Sequence, residues 1–328
     1  MRFLGKTGVK VSRVALGAMS FGGDADEATA GQIWRAAREA GINLIDTADV
    51  YNEGRSEEIV GRLMKGERDE LVLATKAYFP MGKDVNARGS SRYHLVRAVE
   101  GSLRRLDTDR IDLFYLHRFD DVTDLGETLR AVEDLVRAGK ILYPAASNFA
   151  AWQVAHALGM ARLEGFAPIV ALQPMYNLVK RTAEIEMLPM AQSLGIAVIP
   201  YSPTGGGLLT GKYGPDKKPD KGRLLDTKMY VTRYGNPAFY AIAGEFTQLA
   251  AELGHAPTTL AVAWVMSHPA VTSVLVGGRN VEQLAPSFAA LNVELDEATR
   301  ARISALSPEP PPATDRNEEK SAHNYGTR

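Results

Sequence analysis

Short apolar runs alternate with longer stretches of helical periodicity along most of this chain. Apolar pieces around Phe3-Leu4 and Val9 to Val11 flank Gly5-Lys6-Thr7-Gly8 and predict a small β-hairpin with a glycine turn. A regular rhythm follows. Positions 14–16 predict a strand and 27–40 an amphipathic helix, with Ile33, Trp34, Ala37 and Ala40 along its apolar face. Leu44-Ile45 runs into Asp46 ahead of a helix over 56–64. The run 71–75 ends at Lys76, ahead of a helix over 92–106 whose Val96, Val99 and Leu103 share one stripe. The run 111–116 ends at His117 before a helix over 127–138, and 141–146 ends at Ser147-Asn148 before one over 151–163. Positions 169–172 end at Gln173, ahead of a helix near 184–194. Positions 197–200 end at Tyr201-Ser202, and their helix, near 240–253, arrives only after a long connection. A strand over 274–276 and a helix over 281–291 complete the series.

Strands alternating with helices imply parallel pairing, and eight such units without a linker predict a closed (β/α)8 TIM barrel in preference to a doubly wound sheet. The expected α/β architecture is one barrel domain over 1–307 with an N-terminal β-hairpin and an extra helix over 297–306. The Gly/Lys/Pro/Asp-rich connection 203–236, after the seventh strand, far exceeds the usual roughly 2 to 6 residues and reads as a functional flap. Beyond Pro308-Glu309-Pro310-Pro311-Pro312, the polar end 308–328 reads as a mobile tail, or as a loop crossing the barrel mouth.

Composition narrows the chemistry. The 328 residues include no Cys, which excludes disulfides, a thiolate nucleophile and Cys-ligated metals. With 38 Lys+Arg against 39 Asp+Glu, the net charge of -1 offers no global attraction to nucleic acid or anionic lipid. No apolar run reaches the roughly 18 residues of a membrane span, and Met1-Arg2-Phe3-Leu4-Gly5-Lys6 shows no signal-peptide pattern. The expectation is a cytoplasmic protein.

In a (β/α)8 barrel, catalytic groups project from the C-terminal ends of several strands. Asp46, Lys76, His117, Ser147-Asn148, Gln173 and Tyr201-Ser202 fall at predicted strand ends, and Tyr51 lies just beyond the second. Singly, a strand-end Asp reads as a helix cap and a Lys as a solvated rim residue. Together they suggest a proton donor. Tyrosine, with an ordinary pKa near 10, is a weak acid, and an ammonium beside it is expected to lower that pKa. Lys76 could supply the ammonium, Asp46 could hold it charged, and His117 could point an N–H at a substrate oxygen. Such a site suits an oxygen gaining negative charge, as when hydride adds to a carbonyl, and it needs no metal.

The segments Asp46-Thr47-Ala48-Asp49-Val50-Tyr51, Ser56-Glu57-Glu58, Leu73-Ala74-Thr75-Lys76, Asp112-Leu113-Phe114-Tyr115-Leu116-His117, Gly139-Lys140 and Ser147-Asn148-Phe149 closely resemble the aldo-keto reductase family. The resemblance implies catalytic roles for Tyr51 as general acid/base, for Lys76 and Asp46 as its tuning pair, and for His117 as the orienting donor. It also implies an NADP(H) cofactor and a small-molecule carbonyl or alcohol substrate. Cofactor contacts carry over to Gly17, Met19 and Asp46 around the nicotinamide end, to Ser147, Asn148 and Gln173 on the carboxamide, and to Tyr176 as the ring stacked on nicotinamide. Tyr201, Ser202, Pro203, Gly205, Leu208, Gly211 and Lys212 belong to a glycine-rich loop resembling the one that closes over the pyrophosphate. Val276, Gly277, Arg279 and Gln283 match the segment that grips the adenosine end. There, Arg279 and the following helix start suit a 2′-phosphate, which favours NADP(H) over NAD(H). Some relatives resembling this family act as redox-sensing channel partners, so a cofactor-binding regulatory subunit is the alternative.

The glycine-rich loop also nears a P-loop at Gly206, Gly211 and Lys212, but Tyr213 stands where Ser or Thr would bind magnesium, and no Rossmann fingerprint follows any predicted strand. Two departures from the family pattern are Asn52, where many relatives have Gly, and Pro286-Ser287, where Glu-Asn is frequent. Trp34, Trp152 and Trp264 read as packing residues; His94, His156, His255, His268 and His323 read as surface or capping residues. Met19-Ser20-Phe21, Tyr78-Phe79-Pro80, Arg118-Phe119 and the segment 230–234 are the candidate substrate-pocket residues, and they suit sugar-like, polycyclic and small carbonyls alike.

Overall fold

The computed structural model describes residues 1–314. The predicted hairpin pairs β1 (Arg2–Phe3) with β2 (Lys10–Val11). Eight parallel strands follow, in the order β10 (Val274–Val276), β3 (Val14–Gly17), β4 (Leu44–Asp46), β5 (Val72–Ala77), β6 (Ile111–Leu116), β7 (Ile141–Ser147), β8 (Ala171–Gln173) and β9 (Ala197–Val198). The seam between β9 and β10 is closed by backbone bonds. The Thr272 N–H donates to the Val198 carbonyl at 2.8 Å and the Leu275 N–H to the Pro200 carbonyl at 3.0 Å. The fold is the expected (β/α)8 barrel.

Alternate residues of each strand fill the barrel in layers. Ala15, Leu44, Val72, Ala74, Leu113, Tyr115, Ala145, Ala171, Ala197 and Ile199 form one buried interior cluster. Leu4 and Val11 of the hairpin join it from below. The hairpin seals that end closely: a Cβ on Gly5 would stand 2.8 Å from the Gly195 carbonyl, ahead of β9. Successive side chains of a strand point to opposite faces, so continuing each row two residues on leads from Leu44 to Asp46, from Ala74 to Lys76 and from Tyr115 to His117. The same step leads from Ala145 to Ser147, from Ala171 to Gln173 and from Ile199 to Tyr201. The top interior layer is therefore polar where the lower ones are apolar.

The outer helices are α1 (Glu27–Glu39), α2 (Arg55–Leu63), α3 (Arg92–Leu106), α4 (Leu125–Arg137), α5 (Ala151–Glu164) and α6 (Met187–Leu194). Asp26, Ser91 and Asp124 cap α1, α3 and α4 through their side chains, supplying acceptors for backbone N–H groups that a helix start leaves open. The connection after β9 is more ordered than a flap, holding α7 (Arg223–Asp226) and α8 (Lys228–Tyr234) before α9 (Pro237–Glu252). A further helix, α10 (Pro257–Met266), is not predicted by the sequence pattern. It is buried at every position from Thr259 to Met266, so it has no polar face and no amphipathic period to detect. The chain then forms β10, α11 (Val281–Ala289) and α12 (Glu297–Ser304).

Other expectations need correction. Trp34 and Trp264 are core residues, but Trp152 is exposed and leans on Phe119. His94 is buried rather than superficial. His323, and the tail from residue 315 onward, lie outside the described residues. No helix among the described residues is long and apolar enough to cross a membrane.

Candidate active site

A cleft of about 1150 Å3 opens at the C-terminal ends of the strands. At its base Lys76 is fully buried inside β5, one residue short of the strand end. An ammonium has three hydrogens to donate, and all three are used. One meets the Asp46 carboxylate, one the Thr47 carbonyl at 2.7 Å, and one the Tyr51 hydroxyl at 3.4 Å. The other Asp46 oxygen accepts from Gln173 Nε2 at 2.8 Å. Burial works to lower the Lys76 pKa, but Asp46, Tyr51 and the hydrogen bonds to both outweigh it, and the ammonium is held protonated.

The phenol behaves differently from expectation. Burial pushes the Tyr51 pKa up, Lys76 pulls it down, and burial prevails, so the value is raised rather than lowered. Tyr51 remains a protonated phenol through the neutral range. His117, edge-on to Tyr51 with ring centroids 6.0 Å apart, is pushed down to about 3 by burial and by the Lys76 charge. It is a neutral imidazole, and its buried Nδ1 has no hydrogen-bond partner.

Backbone geometry presents the phenol. Asn52, Glu53 and Gly54 follow it with φ of 51°, 59° and 90°, a left-handed run that asparagine and glycine tolerate best. The Asn52 amide does more than survive the turn. Its Nδ2 donates to the Met19 carbonyl at 2.9 Å and the Phe21 carbonyl at 2.7 Å, tying the loop after β3 to the tyrosine turn.

A second polar chain joins the strand ends on the other side. Ser147 Oγ donates to the Gln173 carbonyl at 2.9 Å, and Asn148 Nδ2 donates to Ser147 Oγ and to the His117 carbonyl, each at 3.0 Å. The Tyr201 hydroxyl donates to Asn148 Oδ1 at 2.8 Å. Tyr176 is elsewhere. It is fully buried, its ring is tilted against Trp264 with centroids 5.2 Å apart, and its hydroxyl donates to Glu184 at 2.6 Å. Tyr201, by contrast, lines the cleft. The alternation of interior positions, read two residues beyond Ile199, was the signal that could have separated the two.

Gly17, Met19, Asp46, Tyr51, His117, Ser147, Asn148, Gln173, Tyr201, Ser202, Pro203, Lys212, Val276, Gly277, Arg279 and Gln283 all line the cleft. Gly205, Leu208 and Gly211 shape the loop beneath its lining, which is carried by Gly206, Gly207 and Thr210. Sequence reasoning also missed Arg223, Met229 and the Ala256-Pro257-Thr258 rim, because the elements bearing them were read as loop or not at all. Of the expected substrate-pocket residues, Met19, Ser20, Phe79, Arg118, Tyr230 and Arg233 line the cleft, whereas Phe21, Tyr78, Pro80, Phe119 and Tyr234 do not, Phe21 and Tyr234 being fully buried.

The lining fits a nicotinamide dinucleotide. Gly206 and Gly207 have φ of 69° and 105°, a Cβ on Gly277 would stand 3.1 Å from the Gly17 carbonyl, and all four glycines line the cleft, so bare backbone forms this part of its wall. Cations flank it in Lys212, Arg223 and Arg279. Arg279 Nε is paired with Asp24 at 3.0 Å, and Arg223 approaches the same carboxylate at 3.9 Å. Asn280 caps α11 by accepting from the Gln283 N–H at 2.9 Å, while Gln283 Oε1 accepts from the Arg279 N–H at 3.1 Å.

Comparison with known proteins agrees with this geometry. A family model described as the aldo/keto reductase family matches residues 13–308. A Bacillus subtilis (strain 168) protein named "Uncharacterized oxidoreductase YrpG" is 38% identical over 319 residues, covering 94% of this chain and 96% of that protein. Two plant proteins, from Oryza sativa subsp. japonica and Arabidopsis thaliana, are each 36% identical over 303 residues, covering 88% of this chain and 90% of each relative. Both are named "Probable voltage-gated potassium channel subunit beta". With its barrel, its buried Asp46–Lys76 pair under a half-buried tyrosine, and a family match across nearly its whole length, the chain belongs to the aldo/keto reductase family.

Proposed function

We propose that this protein is a cytoplasmic NADP(H)-dependent reductase of aldehydes and ketones, working in reverse on alcohols. The observation that carries the reading is the Lys76 ammonium, whose three donors end on Asp46, the Thr47 carbonyl and the Tyr51 hydroxyl. A protonated phenol held against a buried ammonium is set to give its proton to an oxygen that becomes negative, and the ammonium then stabilises the phenolate left behind. His117, neutral at working pH, donates a hydrogen bond to the same oxygen without competing for the proton. The bound nicotinamide would supply the hydride.

Ser147, Asn148 and Gln173 would hold its carboxamide, and Tyr201, in place of Tyr176, offers the ring for stacking. The glycine-rich loop, Lys212 and Arg223 would meet the pyrophosphate, and Arg279 a 2′-phosphate. Pro286 and Ser287 border the adenosine end without the acidic and amide groups frequent among relatives.

Tyr51→Phe tests the mechanism. The rate of NADPH oxidation with an aldehyde panel is expected to fall by about 10²–10⁴-fold, with NADPH binding kept. Unchanged turnover would sink the reading. The channel-subunit names of the plant relatives support a second one, a cofactor-binding regulatory subunit. It predicts tight NADPH binding with negligible hydride transfer in a stopped-flow assay.

A further inference from the structure

Six cationic side chains line the cleft, Arg118, Lys212, Lys221, Arg223, Arg233 and Arg279, against two carboxylates, Asp46 and Glu282. Asp46 is already committed to Lys76 and Gln173. The cations fall into two groups. Lys212, Lys221 and Arg223 follow the glycine-rich loop, Arg279 stands at the head of α11, and Arg223 and Arg279 converge on Asp24. That group lies beside β9 and β10, where a dinucleotide's phosphates would be held.

Arg118 and Arg233 belong to neither the loop nor α11. Arg118 directly follows His117 at the end of β6, which lies four strands from β10 around the barrel. Arg233 is on α8, and residues three and four apart share a helix face. Tyr230, three residues before Arg233, is buried, as is Tyr234. The Tyr230 ring lies over Gly206, and Tyr230 and Arg233 line the same cleft as Tyr51 and Tyr201. Among the described residues Arg118, Arg233, Lys212 and Lys221 pair with no carboxylate, whereas Arg223 and Arg279 share Asp24. Phe79, edge-on to His117 with ring centroids 4.9 Å apart, lines the same cleft as these arginines, together with the apolar Met229 and Val50.

Resting on the reductase reading above, we propose that the carbonyl substrate is an anion, its carboxylate or phosphate held by Arg233 and Arg118 while its apolar body crosses Phe79 to present the carbonyl to Tyr51 and His117. A guanidinium fork is well shaped for either anion, and in a half-enclosed cleft the pairing is stronger than on an open surface. The cofactor's own charges are met by the other four cations, so these two are left for the substrate.

The test compares 4-carboxybenzaldehyde and 4-formylphenyl phosphate with the neutral methyl 4-formylbenzoate, using NADPH and wild type, Arg233→Ala, Arg118→Ala and the double variant. Wild type is expected to prefer at least one charged aldehyde over the ester. The ratio of their kcat/KM values should drop about tenfold or more in Arg233→Ala and further in the double variant, with the NADPH Kd unmoved in a fluorescence titration. The aldehyde that loses most identifies the anion. A wild type indifferent to charge, an equal loss on all three aldehydes, or a weakened NADPH Kd in Arg233→Ala would each overturn the proposal. Should wild type reduce none of the three, the reductase reading fails instead. The anion site is then judged by calorimetric titration of 4-carboxybenzyl alcohol and 4-(hydroxymethyl)phenyl phosphate into the protein with NADP+, where Arg233-dependent binding of either sustains it and its absence from both overturns it.

Discussion

The two sides of the barrel mouth are held by different physics. On the side of β4 to β8 the buried polar groups Lys76, Asp46, Gln173 and Ser147 are locked to one another, Lys76 to Asp46, Asp46 to Gln173 and Ser147 to Gln173, and Ser147 in turn holds the more exposed Asn148. On the side of β9 and β10 the backbone runs through glycines of positive φ, and the cations are half or fully exposed. Removal of one locked group strands its partner in low dielectric, whereas an exposed cation can be re-solvated. The first side is built to hold a geometry and the second to admit and release a charged ligand.

Lys76→Met attacks the locked side at its centre. The Asp46 carboxylate would keep only Gln173 as its partner, and Tyr51 would lose the charge that stabilises its phenolate. The expected result is a loss of about 3–5 kcal/mol in denaturant-melt stability together with a rate loss of about 10²–10⁴-fold in single turnover. A variant that kept wild-type stability would show that the pair is not the keystone of that side.

One group on the locked side is not locked. Asp49 is fully buried, and neither carboxylate oxygen has a hydrogen-bond partner. Its pKa is pushed up to about 7 by burial and by the Glu57 carboxylate, against the pull of the Val50 backbone N–H, Arg105 and Lys76. Glu57 itself is satisfied by Thr75 and Arg105, each at 2.6 Å. Because the folded pKa is raised, Asp49 binds its proton more firmly in the native state than in the unfolded one. That stability is present in full below about pH 4 and is lost as pH rises toward about 7. Asp49→Asn removes the slope. Relative to the variant, wild type should be about 2–3 kcal/mol less stable at pH 8 than the same comparison gives at pH 5, measured by urea melts at both values. Parallel stability profiles would place the titration elsewhere.

The same contrast explains what could be read from the residues in order. Asp46, Lys76, His117, Ser147 and Gln173 were legible because each is a polar residue closing an apolar strand run, a local signal. Tyr176 was misassigned because Gln173-Pro174-Met175-Tyr176 carries its ring out of the barrel toward Trp264, and only the tertiary path shows that. The raised pKa of Tyr51 is likewise a balance between burial and Lys76, and burial is not written in sequence spacing. The helix α10 was invisible because it is apolar on every side. On the open side, α7 and α8 lie within a polar, glycine-containing stretch whose order comes from packing: the Tyr230 ring against Gly206, and the Tyr234 hydroxyl with Asn177 Nδ2 at 3.2 Å.

Gly206→Ala tests that packing. The position has φ of 69°, and a Cβ would stand 2.7 Å from the Tyr230 ring, so the loop must shift as well as bear a left-handed alanine. A left-handed L-residue costs about 1–2 kcal/mol, which corresponds to about a tenfold weaker NADPH Kd if the loop closes on the cofactor. The rate at saturation should change far less than in Lys76→Met, since the locked side is untouched. A Kd within twofold of wild type would mean that the loop does not clamp the nucleotide.

The smallest effect belongs to Asp24, whose carboxylate lies between Arg279 and Arg223 with all three side chains partly exposed. Exposed pairs of this kind contribute about 0–1 kcal/mol, so Asp24→Asn should leave folding nearly unchanged. Its charge nonetheless competes with any phosphate that Arg279 receives. Neutralising it should raise the NADPH-over-NADH preference by roughly twofold to fivefold, with the gain shrinking in high salt, while Arg279→Ala should lower the same preference. Measured by paired fluorescence titrations, shifts of opposite sign would assign the 2′-phosphate to Arg279. Shifts of the same sign would show instead that Asp24 positions the guanidinium more than it competes for it, and the open side would then share some of the locked side's design.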